Sequence, residues 1–225
     1  MLEKRLVASI MTADQMHLKV TLDELVEAKI NWLHCDVMDG VFVNNLAMGP
    51  YQIEALKKDA RLILDVHLAT VNPEHYIRMF GPLQPDYITF HIETTENPEE
   101  LFQLIRSYNC KVGLAFSPET PVTTIEPYLK DIDLLLVMTV NPGFAGQEFN
   151  LNVLNKLEKL TEIFSENNFE RPLIEVDGNI YDQTIRKMKN FDVDLFVLGT
   201  SALFNDDGQS INDKSKYLRE GLYES

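Results

Sequence analysis

The stretch RLVASIMTADQMHLKVTLDELVEA, residues 5–28, decides the fold. It opens on a short apolar run, RLVASI, and passes into a segment with Leu18, Leu22, Leu25 and Val26 at helical spacing. The first run is short and carries β-branched residues, so the stretch predicts a strand followed by a helix over 13–28. The turn between them, SIMTAD, has no glycine. A doubly wound open sheet usually carries a glycine-rich turn after its first strand, so this turn speaks against that fold.

The same alternation continues outward. Apolar runs recur at 31–36 (NWLHCD), 62–66 (LILDV), 87–90 (YITF), 111–115 (KVGLA), 134–138 (LLLVM), 173–176 (LIEV) and 195–198 (LFVL). Helical spacing appears at 99–108, at 151–164 through Leu154, Leu157, Leu160 and Phe164, and less regularly at 181–188. A polar tail from Asn205 reads as a loop leading into a last helix. Strand alternating with helix predicts a parallel sheet with right-handed crossovers. Eight such units in 225 residues suit a (β/α)8 TIM barrel, whose lower size limit is about 200 residues. No Pro/Gly/Ser-rich linker divides the chain, so residues 1–225 are expected to form a single domain.

Composition limits the function. The chain is 45% hydrophobic and 24% charged, which excludes wholesale disorder. The formal net charge of −15 speaks against nucleic acid and anionic membrane surfaces as partners. A small anion is still admissible, because local backbone N–H groups can hold a phosphate against the global field. Two cysteines, Cys35 and Cys110, make no disulfide framework and have no metal-ligand spacing. With no signal-like apolar region and no bilayer-length run, a cytoplasmic protein is expected.

Active sites of such barrels lie at the C-terminal ends of the strands. The runs end at Ser9, at His34-Cys35-Asp36-Val37-Met38-Asp39-Gly40, at Asp65-Val66-His67 and at His91-Ile92-Glu93. The later ones run into Ser117-Pro118, Met138 to Gln147, Asp177-Gly178-Asn179 and Gly199-Thr200-Ser201. Polar residues and glycines therefore gather at one rim. His34 and Asp36 are two apart on a strand and share a face, with Leu33 and Cys35 turned to the helices. A lone strand histidine is ordinarily a satisfied polar residue, and H-x-D alone is a weak motif. His67 and Asp177 at matching strand ends complete two imidazoles and two carboxylates, a set able to hold one divalent metal. Mixed N/O donors suit Zn, Fe, Mn or Co, with Mg also compatible. Three adjacent glycine-bearing loops, with Gly143, Gly146, Gly178 and Gly199, allow close approach to a phosphate, although glycine also serves ordinary turns. Met38 and Met138 read as core filler or a water-excluding lid. Asp39-Gly40 reads as a turn and Trp32 as packing.

The stretches HCDVMDGVFVNN, DVHL, VMTVNPGFAGQEF, EVDGNI and VLGTSALF resemble the ribulose-phosphate 3-epimerase family, from Ser9 to Phe204. The resemblance implies a ribulose-phosphate-binding type of (β/α)8 barrel that epimerises carbon 3 of a ketose phosphate. It implies that His34, Asp36, His67 and Asp177 bind one divalent metal, and that Asp36 and Asp177 are the acid/base pair. By the same resemblance Ser9 lies beside the sugar, Met38 and Met138 line the pocket, and Gly143, Phe144, Ala145, Gly146, Gly178, Asn179, Gly199, Thr200 and Ser201 hold the phosphate. It further implies a homo-oligomer. The chain departs from the family's commonest pattern at Ala69 (usually Met), Asn44 (usually Pro) and Asn179 (usually Gly), and Gly-Thr-Ser replaces the commoner GS. The ending resembles the allulose-6-phosphate 3-epimerase branch, so D-ribulose 5-phosphate and D-allulose 6-phosphate are both candidate substrates. A decarboxylase or aldolase would need a strand-end lysine, and none follows the eight runs. A non-catalytic sugar-phosphate-binding barrel is the alternative of another class.

Overall fold

The computed structural model describes residues 4–143, 146–167 and 169–223. Phe144 and Ala145, expected in the phosphate site, lie outside the described residues.

Strands form where the eight apolar runs stand: β1 (Arg5–Ser9), β2 (Trp32–Met38), β3 (Ile63–Ala69), β4 (Tyr87–His91), β5 (Lys111–Phe116), β6 (Leu134–Met138), β7 (Leu173–Asp177) and β8 (Leu195–Leu198). All pair in parallel, each with its sequence neighbour, and β1 closes on β8, so the sheet is a closed TIM barrel. The crossovers carry α1 (Leu18–Glu27), α2 (Pro50–Lys57), α3 (Pro73–Phe80), α4 (Pro98–Ser107), α5 (Val122–Ile125), α6 (Val153–Glu166) and α7 (Asp182–Met188), with α8 (Ile211–Tyr223) last.

The strand period of two sorts side chains into two shells. Outward positions such as Leu33, Cys35, Leu64, Val66, Leu114, Val137 and Phe196 join the helices' buried faces in one hydrophobic shell. The inward set is apolar at the base, where Trp32 stacks on Tyr87 beside Leu134 and Leu195. Trp32 is packing, as expected. Higher in the barrel the inward positions turn polar: Ser9, His34, Asp36, Asp65, His67, Thr89, His91 and Glu175 are all buried.

The expected helix over 13–28 begins late, at Leu18. Asp14 holds the preceding residues in a turn, accepting the Met16 N–H at 2.9 Å and lying 2.7 Å from His17 Nδ1. The other three predicted helices shift by no more than two residues at either end.

Candidate active site at the barrel mouth

Register sets the site. Asp36 pairs across from His67, and His34 from Asp65. Met138 pairs across from Asp177. The inward side chains at the upper ends of β2, β3 and β7 therefore converge on the axis. His34 Nε2 lies 3.2 Å from His67 Nδ1, 3.3 Å from Asp36 Oδ1 and 3.8 Å from Asp177 Oδ2. His67 Nδ1 lies 3.0 Å from Asp36 Oδ1. One donor atom from each of the four falls within 4.8 Å of all the others. Four atoms held about 2.0–2.1 Å from one Zn ion would be about 3.3 Å apart, so this spacing fits a single divalent metal.

Above the cluster opens a cleft of about 640 Å³, its solvent-facing mouth included. Ser9, Met38 and Met138 line it together with Asp36, His67 and Asp177. Gly143, Gly146, Gly178, Asn179, Gly199, Thr200 and Ser201 line it as well. His34 lies beneath, fully buried. Thus every described residue expected at the site is at the cleft or directly under it.

The loops are tied to one another. Asn45 Nδ2 donates to the Gly143 carbonyl at 2.9 Å. Asp39 accepts the Val41 and Phe42 N–H groups, as a turn residue, and also the Val71 N–H of the next loop. Asn179 sits at φ +51°, the left-handed region where the family usually has glycine. Asparagine tolerates that region. Its Oδ1 accepts the Ser201 hydroxyl at 2.8 Å, so Asn179 and Ser201 link the last two loops.

The two upper carboxylates differ in environment. Burial opposes ionisation of Asp36, but the charge of His34 and its hydrogen bond outweigh it and hold this carboxyl well below the ordinary range. Ser9 Oγ also donates to its Oδ2 at 3.0 Å. Burial pushes Asp177 up to about 6, and the nearby Asp36 charge adds to the rise against the pull of His34.

Four polar residues without an expected role complete the barrel interior. Asp65 Oδ2 lies 3.0 Å from His34 Nδ1, and its Oδ1 accepts the Thr89 hydroxyl at 2.6 Å. Glu175 is fully buried and both its oxygens lack hydrogen-bond partners. Burial and the Asp65 charge push Glu175 up to about 8. His91 Nε2 lies 2.9 Å from His67 Nε2, and its Nδ1 lies 3.2 Å from Glu93 Oε2. Burial lowers His91 to about 4, so it is neutral at neutral pH. The period-two pairs D-x-H and E-x-D, at 65–67 and 175–177, mirror H-x-D at 34–36. That repeat is the signal by which Asp65 and Glu175 were readable.

These shifts predict the pH dependence of the metal-free protein. Glu175 and His34 keep protons in the folded state that the unfolded chain releases near 4.5 and 6.5. Each such proton makes stability fall by about 1.4 kcal/mol per pH unit while the two states differ in protonation. His91 acts oppositely, but only below its ordinary value of 6.5. Metal-free protein is therefore expected to lose melting temperature as pH rises from about 6.5 to 8. Calorimetry across that range checks the sign, and a flat or rising profile contradicts it.

The sequence model described as the ribulose-phosphate 3 epimerase family matches residues 5–204. The ribulose-phosphate 3-epimerase of Buchnera aphidicola subsp. Baizongia pistaciae is 39% identical over 203 residues, covering 89% of this chain and 88% of the relative. That of Bacillus subtilis is 36% identical over 216 residues, covering 96% and 97%. Among solved structures, 3-hexulose-6-phosphate synthase from Salmonella typhimurium superposes with a TM-score of 0.71 at 14% identity, covering 97% of this chain and 98% of that one. KGPDC from Streptococcus mutans in complex with D-R5P gives 0.70 at 12%, covering 99% and 98%. At such identities these two share the fold. Among the described residues no helix is long and apolar enough to cross a membrane. With the family matched over nearly its whole length and the fold in agreement, the chain belongs to the ribulose-phosphate 3-epimerase family, enzymes of pentose phosphate metabolism built on a TIM barrel.

Proposed function

We propose that this chain epimerises carbon 3 of a ketose phosphate, converting D-ribulose 5-phosphate to D-xylulose 5-phosphate by proton transfer between two carboxylates. The observation that carries this reading is the placing of Asp36 and Asp177 on strands three steps apart around the barrel, in one donor cluster at the cleft floor. His34, Asp36, His67 and Asp177 would hold one divalent ion; their two nitrogens and two carboxylates suit Zn, Fe, Mn or Co. When bound, the ion supplies positive charge where the enediolate develops its negative charge.

Inversion at carbon 3 requires removing a proton from one face and returning one to the other. Asp36, kept ionised by His34, is suited to accept the proton. Asp177, whose burial favours the protonated form, is suited to deliver one. The roles exchange in the reverse direction. Met38 and Met138 exclude water around the reacting carbon, and Ser9 steadies Asp36 through its hydroxyl. The loops bearing Gly143, Gly146, Gly178, Asn179, Gly199, Thr200 and Ser201 offer backbone N–H groups to the phosphate. In this reading the enzyme is cytoplasmic and homo-oligomeric, on the family resemblance.

Ala69 favours a second reading. It lines the cleft where the family usually has methionine, leaving room for the longer ketose of D-allulose 6-phosphate. Metal-loaded protein incubated with each sugar phosphate in deuterated water decides between them by proton NMR. Loss of the carbon-3 hydrogen with appearance of the epimer is expected with ribulose 5-phosphate. The same result with allulose 6-phosphate alone would move the assignment to the hexulose, and no exchange with either would overturn epimerisation.

A further inference from the structure

His91 and Glu93 stand behind the metal-binding set, and neither lines the cleft. His67 faces the donor cluster with Nδ1, 3.0 Å from Asp36 Oδ1 and 3.2 Å from His34 Nε2. Its other nitrogen, Nε2, meets His91 Nε2 at 2.9 Å. Two facing ring nitrogens at that distance share one proton: one donates and the other accepts. His91 Nδ1 in turn meets Glu93 Oε2 at 3.2 Å. The far oxygen of Glu93, Oε1, accepts the Ser117 N–H at 2.7 Å and the Thr120 hydroxyl. A carboxylate so held can only accept from His91.

At the other end Asp36 and His67 Nδ1 are both ligands of the proposed metal, so with a metal bound neither carries a proton there and the Glu93 end sets the direction. Glu93 accepts, so His91 carries its proton on Nδ1 and presents a lone pair at Nε2. His67 then donates from Nε2, which leaves its Nδ1 unprotonated toward the cluster. We propose that Glu93, acting through His91, is a positioning residue that fixes the tautomer of His67 and keeps its Nδ1 lone pair available to the metal. This rests on the four-residue set being the metal site. The chain crosses from the loop after β5, through Glu93 in the loop after β4, to β4 and β3, so the polarity of one ligand is set from the neighbouring loop rather than at the ion. Both imidazoles are buried, His91 wholly and His67 at 1% exposure, so water does not compete for these bonds.

The proposal makes a prediction that side-chain volume alone does not. In Glu93→Gln the amide oxygen satisfies Ser117 and Thr120, and the NH₂ turns toward His91 Nδ1. His91 must then accept at Nδ1 and donate from Nε2, and His67 must accept at Nε2 and carry its proton on Nδ1. Glu93→Ala removes more atoms but imposes no direction. The near-isosteric Gln variant is therefore expected to lose more Zn(II) affinity than the Ala variant, by about 10–100-fold relative to wild type.

The test measures Zn(II) affinity of all three proteins by competition with a chelator, with circular dichroism as the check of folding. Long-range proton–nitrogen NMR reads the ring tautomers of the protein's five histidines. Wild type is expected to show His91 protonated at Nδ1 and His67 at Nε2, with both assignments reversed in metal-free Glu93→Gln. His91 protonated at Nε2 in wild type overturns the proposal without any variant. So does a Gln variant that binds Zn(II) as tightly as the Ala variant. Wild type that binds no Zn(II), Mn(II), Fe(II) or Co(II) overturns the metal reading instead, and the tautomer spectrum tells the two failures apart.

Discussion

Asp177→Asn protein is expected to fold normally and to lose epimerisation by at least about 10³-fold, the upper part of the range for a positioned acid or base. The substitution is near-isosteric, and the strand-end bonds to the residue use its backbone. The Thr139 N–H donates to the Asp177 carbonyl at 2.7 Å, and the Thr139 hydroxyl does so at 3.0 Å. Both survive. What disappears is the group proposed to exchange a proton on one face of the sugar. Asp36 is untouched, so in deuterated water and saturating metal one epimer is expected to wash out its carbon-3 hydrogen without inverting, while the other does not exchange. That asymmetry separates a lost acid/base from a lost metal, because metal loss would suppress exchange for both epimers. Inversion at the wild-type rate would end the two-carboxylate mechanism.

The sequence was legible where local chemistry agrees with the tertiary role. Eight apolar runs became eight strands because each is buried on both faces. Some strands extend beyond their runs where the barrel's upper interior is polar, as β3 does through His67 to Ala69. α2 and α3 were not read. Each spans eight residues, and α2 buries only Ile53 and Leu56, too few points to show a helical period. Their signal was punctuation: Pro50 after Gly49 and Pro73 after Asn72, each proline at the first helical turn. α5, at four residues, offers no period at all. The four converging donors were legible because H-x-D and strand-end positions sort themselves by parity. His91 and Glu93 were visible as rim residues, but their role depends on which ring nitrogen faces which neighbour. Sequence carries no information about that until β3 and β4 are placed in register.

Gly178→Ala is expected to destabilise the protein by about 3 kcal/mol, a sum of backbone strain and overpacking. Gly178 lies at φ +120°, a conformation that side chains rarely adopt. An added Cβ would meet Val140 Cγ2 at 2.5 Å, the Val140 backbone nitrogen at 2.8 Å and Thr139 Oγ1 at 2.9 Å. The backbone there has no slack. Thr139 is bonded to the Asp177 carbonyl on one side, and its own carbonyl accepts the Asn150 N–H at 2.9 Å on the other. The Thr139 hydroxyl also donates to the Gly178 carbonyl. The alanine therefore has to displace the loops after β6 and β7 together. At about 2–4 °C per kcal/mol for a chain of this size, the melting temperature should fall by about 6–12 °C. Because those loops carry Asp177, Gly143 and Asn179, KM for the sugar phosphate should rise along with a loss of kcat. Gly208→Ala supplies the contrast. Gly208 has φ +78°, with nothing within 4 Å of the new Cβ, so it incurs the backbone strain without the clash. That variant should lose about 1 kcal/mol and keep wild-type kinetics. Equal destabilisation by the two substitutions, measured by thermal unfolding, would mean that the loops at the barrel mouth yield freely and do not form a rigid wall of the kind proposed for the phosphate.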